Sequence, residues 1–398
     1  MARRVFVTGI GIICAIGKNV SETLASLRNV KTGISNIDIL DTVHRGELPV
    51  GEIQLTNEQL ALLAGVTDLD METRTSLLGL IAASEALRNA GIDPKDRHHR
   101  TGVVSASTVG GMDRTEINYR NYHLGPPHSN FVLTHDCGDS TEKIATRLGF
   151  RDLVSTISTA CSSSANSVMF GARLIRHGML DRVVAGGTDS LSKFTLNGFN
   201  TLMILDKQHC RPFDKSRTGL NLGEGAAFLV LEAEEALDGR TPLCELTGFA
   251  NANDAYHQTA SSPDGYGPYL SMSQALEVAG LDPGAIDYIN AHGTGTDNND
   301  LTEGIAIERI FGDKVPMVSS TKPFTGHTLG AAAAVEAVIS ILCIQHKMVV
   351  PNLNFKEKID ELHFEPVKEI RFDQPLRHVL SNSFGFGGND STLIFSAV

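Results

Sequence analysis

Four stretches of this chain carry residue types and spacings that could do chemistry. Cys161 lies in Ser158-Thr159-Ala160-Cys161-Ser162-Ser163-Ser164, between a β-branched run at 153–157 and a segment, 165–177, in which Ala165, Val168, Met169, Ala172 and Ile175 repeat at helical spacing. A cysteine between a strand and a helix N-terminus meets the positive end of the macrodipole, which lowers a thiol's pKa and makes a nucleophile. The serines suit the first turn, where side-chain oxygens take up free backbone N–H groups. The alternative is a buried cysteine acting as a small hydrophobe.

The second stretch is Asn290-Ala291-His292-Gly293-Thr294-Gly295-Thr296, at the end of an apolar run. His292 there is either an accessible site residue or a turn histidine that caps backbone groups. The third is Lys322-Pro323-Phe324-Thr325-Gly326-His327-Thr328-Leu329-Gly330, which enters a helical segment that is apolar nearly all round yet contains Glu336. A carboxylate buried there needs a cation or hydrogen bonds, or it becomes neutral. Lys322 is the nearest cation in sequence, and the pair either serves a site or secures the loop. The fourth, Asn382-Ser383-Phe384-Gly385-Phe386-Gly387-Gly388-Asn389, alternates glycine with phenylalanine. It reads as a loop whose N–H groups can approach a ligand, or as a tight β-turn with two core aromatics.

The elements that must hold these stretches alternate strand and helix. Residues 4–8 predict a strand, Gly9-Ile10-Gly11 a turn, and 20–27 a helix. The turn partly matches a dinucleotide fingerprint, but Cys14 occupies the third glycine position, so it carries no nucleotide site. A helix is predicted over 71–90, strands over 101–105, 182–185 and 226–231, and a polar surface excursion over 114–130. A polar turn at Asp238-Gly239-Arg240 divides the chain into halves, 1–240 with the cysteine and 241–398 with the two histidines. In the second half, strands are predicted at 243–250, 286–290, 315–319, 379–382 and 391–396, and helices at 271–279 and 330–345. This alternation predicts an α/β fold with mixed or parallel sheets and helices packed on them.

Bulk properties exclude several classes. A hydrophobic content of 41% with 20% charged residues is that of an ordinary globular chain. The net charge of −12 argues against a nucleic-acid binder. The six cysteines include no Cys-x-x-Cys pair and no zinc-ligand spacing, which suits a reducing cytoplasm. The most apolar stretch, 329–344, contains Glu336, so no membrane span is expected.

Together the four stretches resemble the elongating β-ketoacyl-acyl-carrier-protein synthases of the thiolase superfamily. The resemblance extends to the opening Arg3-Arg4-Val5-Phe6-Val7-Thr8-Gly9, and to Arg211-Pro212-Phe213-Asp214, Gly223-Glu224-Gly225-Ala226 and Asp254-Ala255-Tyr256-His257. It runs in order over nearly the whole length. It implies a thiolase-like five-layered αβαβα fold made of two similar halves. It also implies decarboxylative Claisen condensation. Cys161 would hold the acyl group, and the N–H groups of Cys161 and Phe386 would form the oxyanion hole. His292 and His327 would bind the malonyl thioester oxygen, with Lys322 and Glu336 fixing their position and protonation. Phe386 would gate the acyl tunnel, Thr294 and Thr296 would bind the pantetheine arm, and Val109 and Phe199 would line the acyl pocket. No metal or redox cofactor is needed, because loss of carbon dioxide drives the reaction. The implied partners are acyl- and malonyl-carrier protein and a second copy of the chain, or a chain-length subunit in a heterodimer.

The chain departs from the family pattern at Pro323 (usually serine), Ala333 (glycine), Asp297 (proline) and Asn389-Asp390 (Thr-Asn). These leave open two services: primary fatty-acid synthesis, or a branch that makes polyketide, aryl-polyene or another specialised acyl chain. Thiolases use a second cysteine near the C-terminus, where the glycine loop here has none. Initiating synthases carry asparagine where His327 stands. A catalytically silent chain-length partner would lack Cys161. For carrier docking, Lys207, Arg211, Lys215 and Arg217 against Asp206 and Asp214 form either a modest basic patch or a solvated loop of internal ion pairs.

Overall fold

The computed structural model describes residues 3–398. Its strands are β1 (Val5–Cys14), β2 (Thr101–Ala106), β3 (Leu153–Ile157), β4 (Arg182–Asp189), β5 (Gly225–Ala233), β6 (Cys244–Asn253), β7 (Tyr288–Asn290), β8 (Met317–Ser319), β9 (His378–Gly385) and β10 (Asn389–Ser396). The helices are α1 (Val20–Arg28), α2 (Asn57–Ala64), α3 (Arg74–Asn89), α4 (Met112–Asn118), α5 (Phe131–Thr134), α6 (Cys137–Leu148), α7 (Ser163–Arg176) and α8 (Lys193–Thr201). They continue with α9 (Tyr266–Ala279), α10 (Asp297–Phe311), α11 (Lys322–Thr325) and α12 (Ala332–His346).

The strands order as β3-β2-β4-β5-β1-β6-β10-β9-β7-β8. Numbered within each group of five, both read third, second, fourth, fifth, first, and the two first strands meet in the middle. The parallel and antiparallel pairings repeat as well: β2 runs parallel to β3 and β4, and β7 parallel to β8 and β9. The two groups join through only Phe6↔Glu245 and Val7↔Cys244. Helices α7 and α12 pack on each other and on both groups, α3 and α6 cover the outer face of the first, and α9 with α10 cover that of the second. That is a five-layered αβαβα arrangement, as the resemblance implied.

Two of the catalytic candidates sit at equivalent joints. Cys161 lies between β3 and α7, and His327 lies between β8 and α12. The helix predicted from 330 to 345 is α12, preceded by a 3-10 turn at Leu329–Ala331. The stretch Leu329–His346 is apolar enough to cross a bilayer by composition, but 89% of its window is buried as the central helix of the fold.

Two expectations need correction. Gly9-Ile10-Gly11 is not a turn: β1 continues through it to Cys14, with a register shift between Val7 and Gly9. The glycines serve helix packing, since a Cβ on Gly11 would stand 2.1 Å from the Ala82 carbonyl oxygen of α3. The polar excursion predicted over 114–130 carries α4 and the 3-10 helix Tyr119–Leu124, and it exposes Ile117, Tyr119, Tyr122 and Leu124.

Candidate active site

Cys161, His292 and His327 come from three separate joints, yet their ligating atoms all lie within 4.8 Å of one another. All three side chains are buried. The Sγ of Cys161 is 3.0 Å from Nε2 of His327, and the two imidazoles meet edge to face at 5.5 Å between centroids.

Local structure explains the placement of each. Ala160 takes a left-handed backbone (φ +52), which turns the chain sharply before Cys161. The serines after it do not cap their own helix: Ser162 donates to the Thr159 carbonyl, Ser163 accepts from the Thr159 N–H, and Ser164 accepts from the Ala334 N–H in the first turn of α12. They therefore weld the nucleophile turn to the central helix pair. His327 is clamped through its backbone, donating to the Asn221 carbonyl at 2.7 Å and accepting from the Gly223 N–H at 2.9 Å. Gly326 makes this possible, being left-handed (φ +72) with a Cβ position only 2.6 Å from the Leu222 oxygen. His292 is held from below by Glu303, whose carboxylate accepts the N–H groups of His292 and Gly293 and the Asn382 amide.

Lys322 fixes the ring of His292. Its ammonium donates to Glu336 Oε1 (2.5 Å), to the His292 carbonyl (2.5 Å) and to His292 Nδ1 (3.1 Å). Three N–H bonds meet three acceptors, so Nδ1 carries the lone pair and Nε2 the proton, aimed at the cavity. That tautomer also disfavours the trio as a metal site, since a metal on Nε2 would need the proton moved to Nδ1, against an ammonium. His327 is not pinned in this way, because its Nδ1 has no partner.

Electrostatics follow burial. Burial first, then Lys322, holds both histidines well below the ordinary imidazole pKa, so both are neutral at pH 7. The sequence expectation of a lowered thiol pKa does not hold at rest. Burial pushes Cys161 up to about 11, opposed by Lys322 and by the Phe386 N–H. Burial likewise raises Glu336, with Lys322 pulling it back. Burial dominates because the thiol has lost its water.

The Phe386 N–H bonds toward Cys161, and a Cβ on Gly385 would stand 3.1 Å from the Cys161 nitrogen, so the glycine loop packs directly against the nucleophile turn. Phe386 stacks on Phe199 at 5.9 Å. A cavity of about 280 Å³ opens over this trio and includes Phe199, Phe386, Thr294 and Thr296. Val109 is buried in the apolar cluster behind it, with Leu191, Leu196 and Leu220, and is not on the cavity wall.

Several residues of the site escaped the sequence reading. Asp189, at the end of β4, accepts from Ser107, Thr108 and the Gly330 N–H, tying the N-terminal joint to α12. Glu303 and the wall residues Ile204, Leu220, Asn298 and Asn299 were also missed. An acidic residue closing an apolar strand was the available signal for Asp189; for the wall residues the sequence held none. The four cations proposed as a basic patch are all paired internally: Lys207 with Glu47, Arg211 with Asp206, Lys215 with Asp360 and Arg217 with Asp300.

The pattern of the beta-ketoacyl synthase N-terminal domain matches residues 2–236, and that of its C-terminal domain residues 243–356. Among curated proteins, the chain is 33% identical to the 3-oxoacyl-[acyl-carrier-protein] synthase 2 of Vibrio cholerae serotype O1, over 99% of each chain. Among solved structures it resembles the ishigamide ketosynthase/chain length factor, at a TM-score of 0.93 and 31% identity over the full length of both. It also resembles a type II polyketide ketosynthase solved with its acyl-carrier protein, at a TM-score of 0.89 and 26% identity over the full length of both.

Proposed function

This chain belongs to the β-ketoacyl synthase family, and from that premise we propose that it extends an acyl chain held on Cys161 by decarboxylative condensation with a malonyl thioester. The observation that carries the reading is Sγ of Cys161 at 3.0 Å from His327, beside a His292 whose Nε2–H is fixed by Lys322.

In the first half-reaction Cys161 attacks the thioester of an acyl-carrier protein. Its proton passes through His327 Nε2 to the departing pantetheine sulfur, and the tetrahedral oxyanion rests on the N–H groups of Cys161 and Phe386. With its pKa raised by burial the thiol is a weak nucleophile at rest, so its proton leaves toward His327 only as the thioester is attacked, with Lys322 and the Phe386 N–H opposing the burial. In the second half-reaction the malonyl thioester oxygen accepts from His292 Nε2–H and from His327, whose unpinned ring now presents its own Nε2–H. The carbon–carboxylate bond breaks, carbon dioxide leaves, and the enolate carbon attacks the acyl-Cys161 carbonyl. The C–S bond then breaks and the cysteine takes up a proton. Phe386 gates the entrance, and Phe199 with Val109 behind it shapes the acyl pocket. Thr294 and Thr296, hydroxyl to hydroxyl at 2.9 Å, hold the pantetheine arm.

We assign residues 1–240 and 241–398 as the two halves of this machine, supported by their repeated strand order. The carrier protein is the delivering partner, in line with the relative solved with one. The exposed apolar side chains of Ile117, Tyr119, Leu124 and Leu133, and separately the half-buried edge strand β3, support a dimer, with a second copy or with a chain-length subunit as in the ishigamide relative. The six unpaired cysteines accord with work in the cytoplasm. Catalytic silence is the weaker reading, since the nucleophile and both histidines are present and aligned.

The test is mass spectrometry of the protein after incubation with acyl-carrier thioester, then with malonyl-carrier protein. An acyl adduct on Cys161 followed by β-ketoacyl product is expected, and Cys161→Ala should abolish condensation while malonyl decarboxylation persists. Absence of both adduct and product in the wild type would overturn the reading.

A further inference from the structure

The Cys161 side chain is 7% exposed and is reached through the cavity, whose outer rim includes Met203, Thr218, Thr259, Asp297 and Asn298. Whatever delivers a thioester to it must stand on that rim. Met203 is 87% exposed; its left-handed backbone (φ +57), with its N–H on the Asn200 carbonyl, closes helix α8 and turns the side chain out into water. The preceding residue, Leu202, is 45% exposed. Two large apolar side chains thus stand in water at the mouth of the site, where the thioester must be delivered. Exposed apolar surface at that place marks a contact surface.

Charge does not supply an alternative. Arg211 donates to Gln208, Ser216 and Thr218 and pairs with Asp206, while Arg217 donates to the carbonyls of Asp214, Thr296 and Asp297. Lys207 and Lys215 are paired with Glu47 and Asp360. The one charged side chain on the rim itself is the exposed Asp297 carboxylate, 3.9 Å from the Arg217 guanidinium, so the rim presents no free cation to an acidic partner.

We propose that the carrier domain docks on the Leu202–Met203 knob through an apolar helix face beside the attachment point of its arm, and that this contact, not charge, sets the arm over the cavity. The proposal rests on the condensing reading above and names the surface its carrier uses. Truncating the anchor of a small interface weakens binding by about tenfold.

The experiment compares wild type with Met203→Gly, a variant suited to the left-handed backbone, whose melting temperature should not fall. Initial rates are measured with an acyl group carried on the carrier protein and on N-acetylcysteamine, at salt concentrations of about 0.05 and 0.5 M. The expected result is a KM for the carrier-borne substrate about tenfold higher in Met203→Gly, with kcat retained and the small thioester turned over as before. The wild-type KM should change less than about twofold with salt. An unchanged carrier KM in the variant, an equal loss with both thioesters, or a steep salt dependence in the wild type would each overturn the apolar dock. A wild type that acylates Cys161 from neither thioester would instead overturn the condensing function itself.

Discussion

Lys322 has three N–H bonds, and all three are used inside the site, on Glu336, on the His292 carbonyl and on His292 Nδ1. The residue therefore does for His292 what a buried carboxylate does for the histidine of a hydrolase, with opposite sign: it selects the tautomer by donating, not accepting. Lys322→Met should lower kcat by about 10²- to 10⁴-fold, because the Nε2–H donor is no longer specified. It also strands Glu336 as an unpaired buried carboxylate, which costs about 3–5 kcal/mol. The double variant Lys322→Met/Glu336→Gln separates the effects: its melting temperature should recover while turnover stays low. A double variant with restored turnover would show that Lys322 only secures the loop. Cys161 teaches a different lesson at this scale. Its position at a helix N-terminus was legible, but its pKa was not, since that is set by a burial that depends on residues far away in sequence.

At the scale of elements, the β9–β10 hairpin carries Phe386 into the site and anchors itself at Asp390. That side chain is fully buried, neither of its oxygens has a partner, and it faces Asp254 and Glu303. Burial first, then those two carboxylates, raises its pKa to about 8. A folded-state pKa above the unfolded value means that the folded chain holds the extra proton. The contribution is fully present below the unfolded pKa of about 3.9 and is lost as pH rises through about 8. Thermal stability should therefore fall between those limits. Asp390→Asn, which cannot ionise and offers Asp254 a donor, should raise the melting temperature most at pH 8 and little at pH 4. Differential scanning calorimetry across that range decides it, and a gain independent of pH would show that Asp390 is not the titrating group. The strand β1 shows why element boundaries escaped pattern reading: its two glycines look like a turn until α3 is laid across them.

For the whole molecule, the two groups of five strands share one order and meet at their first strands, so each half presents the same joint to the centre. One joint holds Cys161 and the other His327. The sheet has an open, half-buried edge at β3, and the segment from Ile117 to Leu133 separately exposes apolar side chains. Light scattering should report a dimer, and Leu133→Asp should shift it toward monomer with loss of turnover; a wild type that stays monomeric at micromolar concentration would remove this surface from the assembly.

From the sequence alone came the α/β class, a proposed division near Asp238-Gly239-Arg240, and Cys161, His292, Lys322, His327, Glu336 and Phe386 as candidates, singled out by local patterns that left a structural alternative open and given roles by the resemblance. Tertiary structure alone decided the pairing of Sγ with Nε2, the tautomer of His292 and the raised thiol pKa. It also decided the removal of Val109 from the cavity wall and the neutralisation of the supposed basic patch. The physical reason is common to all of these. Burial and charge pairing depend on distances between segments that the chain brings together only when α7 and α12 close between the sheets, and no local spacing encodes such a distance.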